Sequence, residues 1–359
     1  MRDPHTLYNF IRSEIKDSDQ YYVFLDEIQF VDRFPEVLNS LLRLNNVDIY
    51  VTGSNSKFLS SDMVTEFRGR GDEIRVYPLS FSEYLSAFKG SEEDAFNDYM
   101  IYGGLPRILS FPGDDRKAAY LSALFAETYL KDIIEHNHIR NTSELEDLVN
   151  VLASSVGSLT NPAKLQRTFR TRLHSDISDK TIKTYLDYLE DSFLIESASR
   201  YDIKGKHYIG SPLKYYFVDP GLRNARLGFR QIEETHLMEN IIFTELKRRS
   251  FSVDVGVVDI RELSAGDKEK EGYQSKYERK RLEIDFIATK GSKKYYIQSA
   301  FVIPDRAKRQ QEIKPLLKID DSFKKIIIVG TYTKPVRDSN GILTMGIRQF
   351  LKDPDSLDI

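Results

Sequence analysis

Tyr21-Tyr22-Val23-Phe24-Leu25-Asp26-Glu27 is a short apolar and aromatic run that ends in two carboxylates. Such a run reads as a buried parallel strand, and its acids then emerge at the C-terminal edge, where open α/β sheets bind ligands. Downstream, the segment from Pro35 to Leu42 has helical spacing, and Val47-Asp48-Ile49-Tyr50-Val51 is a second run ending in Thr52-Gly53-Ser54-Asn55. The order strand, helix, strand sets both polar tips at one edge of an α/β layer. In nucleotide hydrolases an acid after such a strand holds Mg²⁺, and a neighbouring Glu orients and deprotonates the attacking water. Asp26 and Glu27 have the residue types for those two roles, and Ser54 or Asn55 has the type to sense a γ-phosphate. A plainer reading stays open, because an Asp-Glu pair also ends a strand where the strand meets solvent.

The chain around this segment has 359 residues, 40% of them apolar and 30% charged. That balance buries cores under a wet surface, and the length exceeds one ordinary core, so three are expected. A formal net charge of −3 gives no global basic signal, so any nucleic-acid contact has to come from a local patch. The sequence has no cysteine, which excludes a disulfide framework, a thiolate zinc site and a thiol nucleophile. No window approaches the ~18 apolar residues of a membrane span, so the expectation is a cytoplasmic protein with no membrane partner.

Four further segments follow in order: Phe24-Leu25-Asp26-Glu27-Ile28-Gln29, Val51-Thr52-Gly53-Ser54-Asn55-Ser56, Phe67-Arg68-Gly69-Arg70 and Tyr77-Pro78-Leu79-Ser80-Phe81-Ser82-Glu83-Tyr84-Leu85. Together with Tyr102-Gly103-Gly104-Leu105-Pro106 they resemble an AAA-type P-loop ATPase family of archaea and bacteria that carries a C-terminal restriction-endonuclease-like domain of unknown function. The resemblance makes Asp26 and Glu27 the Walker B acids, Asp26 for metal and cofactor, Glu27 for catalysis. It makes Asn55 the sensor, and lets Arg68 or Arg70 touch phosphate; a solvated turn around Gly69 and Gly71 is the other reading of those arginines. Mg-ATP is the cofactor it implies for a complete member. One element is missing, because a phosphate loop needs G-x-x-x-x-G-K-[ST] and no such string occurs. Gly53-Ser54-Asn55-Ser56-Lys57 lacks the second glycine and follows the wrong strand. In the family the loop precedes the point where this sequence begins, so the expectation is a fragment or a variant without its nucleotide cradle.

The expected class is α/β, in four segments. Residues 1–90 form a partial P-loop sheet, 91–142 a helical lid, 143–214 a winged helix, and 215–359 a restriction-endonuclease-like domain. The winged-helix pattern consists of helices from Glu144, from Asn161-Pro162 and from Ser178-Asp179 to about Asp191, then strands flanking Lys204-Gly205-Lys206. Lys180, Lys183, Lys204 and Lys206 are its candidate contacts to duplex DNA, lengthened by Lys164, Arg167, Arg170 and Arg172. Asp176, Asp179, Asp187 and Asp191 dilute that charge, and a protein interface is the alternative use. The last segment reads as a helix around Glu239 to Leu246 and strands at 253–258, 283–288, 295–300 and 325–329, with one helix before the last. The resemblance implies a helix Glu, a strand Asp and an acid-x-Lys around Mg²⁺. Glu239 and Asp285 fill the first two positions, while the third reads Gln298-Ser299-Ala300, with an amide for the acid and no lysine. These positions are therefore expected to be remnants of a nuclease site. The two functions expected are an ATPase-family protein inactive as this chain, and a non-enzymatic DNA- or protein-binding regulator.

Overall fold

The computed structural model describes residues 2–53, 71–263 and 277–359. It divides into two compact units, Met1–Val76 with the short stretch Asp187–Phe193, and Tyr77–Leu186 with Leu194–Ile359.

In the first unit, Asp3 caps helix α1 (Pro4–Glu14) by accepting the Thr6 amide at 2.6 Å, and Pro4 starts the helix where no N–H is needed. Strands β1 (Tyr21–Leu25) and β2 (Val47–Val51) pair in parallel with Leu25 opposite Val51, joined through helix α2 (Phe34–Leu41). Leu7, Ile11, Phe34, Val37, Leu38 and Leu41 bury against Val23, Leu25, Ile49 and Val51. The two helices cover only one face of the strand pair. Tyr22, Phe24 and Tyr50 alternate onto the other face, where Phe24 is 73% exposed and its ring stacks on Tyr50 at 5.0 Å. The expectation of a strand buried on both faces is corrected here: the run Tyr-Tyr-Val-Phe-Leu alternates aromatic-out and aliphatic-in, and its aromatic residues mimic a continuous apolar run.

The second unit begins with helices α3 (Phe81–Ala87), closed by a Ser80/Glu83 capping box, and α4 (Glu92–Tyr102). Helix α5 (Asp114–Leu124) continues through a π-helical turn, Phe125–Leu130, into α6 (Lys131–His136). Helices α7 (Thr142–Ser154) and α8 (Pro162–Thr168) follow, then α9 (Asp179–Asp191), whose residues from Asp187 on are assigned to the first unit. Asn161 caps α8 through the Lys164 amide at 2.7 Å, and Ser178 accepts the Thr181 amide at 3.0 Å.

An eight-stranded mixed sheet completes this unit. Its strands are β3 (Ile195–Asp202), β4 (His207–Phe217), β5 (Ser252–Leu263), β6 (Tyr277–Lys290), β7 (Lys293–Ala300), β8 (Lys324–Val329), β9 (Val336–Arg337) and β10 (Leu343–Gly346). They lie side by side as β4-β3-β5-β6-β7-β8-β10-β9. The hairpin expected as a wing is thus two strands of this sheet. β3 pairs antiparallel with β4, and its outer half runs parallel to β5 with Arg200 opposite Val255. The expected boundary at residue 214 falls inside β4. Local pattern does not reveal this pairing, because a hairpin looks the same whether its second edge meets water or another strand.

Helix α10 (Pro220–Arg226) ties the helices of this unit to its sheet. The buried Asp219 caps it, accepting the amides of Leu222 at 3.1 Å and of Gly104 at 2.7 Å. Burial raises the Asp219 pKa to about 6, against the pull of those amides. Arg223 donates to the Ala153 carbonyl at 2.7 Å, and Asn224 donates to the carbonyls of Met100 and Ile101 at 3.1 and 2.8 Å. Gly103 allows this close approach: its φ is +75°, and a Cβ there would sit 2.0 Å from Asp219 Oδ1. On one face of the sheet, helix α11 (Glu234–Arg248) packs on β4 to β7, with Phe243 stacked on Tyr216 at 4.2 Å. Helix α12 (Arg306–Leu317) buries Ile313 and Leu316 against Ile287, Tyr296 and Ile327.

Candidate functional site

The carboxyl edge of β1 and β2 carries the first group. Because Leu25 and Val51 are in register, the next residues, Asp26 and Thr52, are neighbours across the strand pair. The Thr52 hydroxyl donates to Asp26 Oδ1 and accepts the Glu27 amide at 3.1 Å, while the Ile28 amide donates to the Thr52 carbonyl at 3.1 Å. Glu27 stands in the left-handed region at φ 49°, and the Gln29 side chain donates to its carboxylate. A non-glycine residue held there costs on the order of 1 kcal/mol, and such strain concentrates at working sites. Asp26 is exposed and Glu27 half-buried, so the pair meets solvent at the strand end. Asn55, Arg68 and Arg70, with Ser54, lie outside the described residues. The sensing role expected of Ser54 or Asn55 falls on those undescribed residues, and the hydroxyl found on Asp26 belongs to Thr52, which sequence reasoning did not single out. Strand register was the signal for it.

The second group is inside the second unit. Glu239 from α11 and Asp285 from β6, far apart in sequence, converge on the same ammonium, that of Lys214 from β4. Lys214 Nζ is 2.8 Å from Glu239 Oε1, 2.8 Å from Glu283 Oε1 and 3.7 Å from Asp285 Oδ1. The Tyr216 hydroxyl donates to Glu239 Oε1 at 2.7 Å, and the Ser299 amide donates to Asp285 Oδ2 at 2.8 Å. Gln298, beside Ser299 on β7, has its side-chain oxygen buried without a hydrogen-bond partner. Lys214 is only 3% exposed. Its burial favours the neutral amine, but the charges of Glu239, Asp285 and Glu283 outweigh that and hold its pKa above the ordinary lysine value. Burial raises the Asp285 carboxyl to about 7, helped by the Glu239 charge and opposed by Lys214. Among the described residues, no group of three or more His, Asp or Glu is arranged to hold a metal ion.

Sequence reasoning missed Lys214, Tyr216 and Glu283. The signals were present: Lys214 is a lone charge inside the run Leu213 to Phe217, and Glu283 precedes Asp285 by two, on the same side of a strand. Lys180 and Lys183 stand on the first turns of α9, and Lys204 and Lys206 in the β3–β4 turn. All four are exposed, and Asp202 fixes that turn by accepting the amides of Lys204 at 3.0 Å and Gly205 at 2.9 Å.

Comparison with known proteins bears on the first group directly. Residues 1–85 match a family model described as an AAA domain, and residues 93–233 match one described as a domain of unknown function, DUF8612. An uncharacterized protein of Haemophilus influenzae is 36% identical over 338 residues, spanning 92% of this chain and 78% of that protein. A second uncharacterized protein, MJ1544 of Methanocaldococcus jannaschii, is 29% identical over 328 residues, spanning 85% of this chain and 68% of that protein. At 36% identity across most of both sequences, the chain belongs to one family with the Haemophilus influenzae protein, and its residues 1–85 are AAA-like.

Proposed function

We propose that the first unit is the acid-bearing edge of a Mg-nucleotide site in an ATPase-family protein. The observation that carries this reading is the joined group Asp26, Glu27 and Thr52 at the carboxyl ends of two parallel strands, within the segment that matches an AAA domain. These residues fit the metal half of such a site: Asp26 offers an exposed carboxylate that Thr52 orients, and Glu27 a second acid of fixed backbone conformation. Bound Mg²⁺ would neutralise charge on the phosphates. Asp26 would reach it directly or through water, and Glu27 would accept a proton from water. The residues do not fit the phosphate half, since the sequence has no G-x-x-x-x-G-K-[ST]. The test is Mn²⁺·ATP binding by electron paramagnetic resonance. Asp26→Asn is expected to weaken it at least tenfold, while Glu27→Gln keeps it. Equal signals from all three proteins, or no binding in any, would sink the proposal.

A second reading concerns the other unit. The order α11, β5, β6, β7, α12, β8, with Glu239 and Asp285 brought together, supports a nuclease-like scaffold. With Gln298 and Ala300 on β7 it has neither the third acid nor the lysine of that pattern, so this scaffold carries no cleavage. Nicking of supercoiled plasmid by the unmodified chain with Mg²⁺ or Mn²⁺, abolished by Asp285→Ala, is the result that overturns it.

A further inference from the structure

Strands β5 and β6 outrun their neighbours. β3 pairs with β5 only at residues 255–257, and β7 pairs with β6 only at residues 286–290, so residues 258–263 and 277–282 pair with each other alone. They form a two-stranded ribbon about 20 Å long that continues past the sheet. Alternation gives the ribbon two unlike faces. Ile260 and Leu282 lie in one hydrophobic cluster with Ile313 and Leu316 of α12, and Lys314 of α12 pairs with Glu262, so one face is braced. On the other face Asp259 stands opposite Arg281, and Arg261 opposite Arg279. The described acids there are already engaged: Asp259 pairs with Arg279 and, at 3.1 Å, with Arg281, and Glu283 at the base of the ribbon pairs with Lys214 at 2.8 Å. Arg279 and Arg281 nonetheless keep 70% and 56% of their side chains exposed. Arg261 is exposed as well. Like charges directly opposite on a ladder destabilise it, and an anion lying across Arg261 and Arg279 would offset that. Beside the ribbon, the Ile203 amide donates to the Val257 carbonyl at 3.0 Å, and the same turn presents the exposed Lys204 and Lys206.

We infer that this face of the β5–β6 ribbon is a contact surface for the phosphate backbone of duplex DNA, carried by Arg261, Arg279 and Arg281. Alternate residues of a strand stand about 7 Å apart, close to the separation of successive phosphates on one nucleic-acid strand. A guanidinium offers a phosphate paired N–H donors, and Asp259 fixes Arg279 and Arg281 by one side each while leaving them further N–H groups to donate. The described side chains of the face are charged, with no ring on which an unpaired base could stack, so the occupant is a duplex and not a single strand. Because α12 braces the opposite face, the ribbon lies along the backbone, where contacts position the partner without reading its sequence. The surface is distinct from α9, and it requires neither nucleotide binding nor cleavage.

The experiment is binding of the full chain to a fluorescently labelled DNA duplex of mixed sequence, read by anisotropy over a series of salt concentrations. The wild type is expected to bind at low salt and to weaken as salt rises. Replacing Arg261, Arg279 and Arg281 together by Gln is expected to weaken binding at least tenfold and to lower the salt slope by ~0.9 for each phosphate no longer neutralised. Replacing all three by Lys is expected to keep most of the affinity. Arg261→Glu separates contact from fold, and it serves alone if the triple variant does not fold. It turns the like-charge pair into an opposite-charge one, so its thermal midpoint is expected to equal or exceed that of the wild type while binding still falls at least tenfold. Three results overturn the inference: no binding by the wild type, unchanged affinity and slope in Arg261→Glu, or displacement of the duplex by an equal charge concentration of polyglutamate, which would assign the face to an acidic protein partner.

Discussion

At the scale of single residues, the two candidate groups differ in what burial does to their acids. Asp26 and Glu27 stand at a strand end in contact with solvent. The Asp285 side chain is largely buried, and desolvation with the Glu239 charge raises its pKa to about 7. The folded state therefore holds the Asp285 proton more tightly than the unfolded chain does. The stability this contributes is complete below the ordinary carboxylate range and is lost as pH rises through about 7. Urea unfolding at pH 5, 6, 7 and 8 is expected to show stability falling with pH, with this one group contributing on the order of 1 kcal/mol per pH unit at most. Asp285→Asn is expected to flatten the slope, leaving the smaller contribution of Asp219, which burial raises to about 6. Parallel curves for variant and wild type would place the titration elsewhere. Lys214 adds nothing in this window, because its pKa is shifted upward, away from neutral pH.

At the scale of elements, local chemistry announced most helices and strands, and long-range pairing was the part it withheld. Asn161 and Ser178 cap where their types suggested, and the four strands expected after Glu239 lie within β5, β6, β7 and β8. Strand ends and caps depend on neighbours within a few residues, so a sequence shows them. The β3–β4 hairpin was legible as a hairpin but not as part of a larger sheet, since its bond to β5 joins residues more than fifty positions apart. Lys214 stayed hidden for the same reason: a lysine in an apolar strand makes sense only once α11 and β6 bring their acids to it. The DNA reading of α9 and the hairpin turn needs its own measurement. Replacing Lys180, Lys183, Lys204 and Lys206 together by Ala is expected to weaken duplex binding and lower the salt slope by ~0.9 for each phosphate no longer neutralised, with little change in sequence preference. An unchanged isotherm and slope would move these helices to the protein-interface reading.

For the whole molecule, the distribution of catalytic parts decides what the chain does on its own. Phosphoryl transfer depends on positioning the phosphates and neutralising their charge, and a phosphate loop with its lysine supplies much of both. The 359 residues contain no such string, so under the proposed roles the acids at the end of β1 would meet metal and water without that cradle for the γ-phosphate. Among the described residues the second unit offers no substitute in its buried polar group, because the lysine there is already engaged by three carboxylates. Phosphate release from Mg-ATP by this chain is accordingly expected to stay at background. Glu27→Gln, which under the proposed roles keeps the metal ligand and removes the proton acceptor, is expected to give the same baseline. The informative contrary result is turnover in the wild type that disappears in Glu27→Gln but survives Lys214→Met. It would show that residues of the first unit hold the phosphates without a P-loop, and that Glu27 acts on the attacking water there.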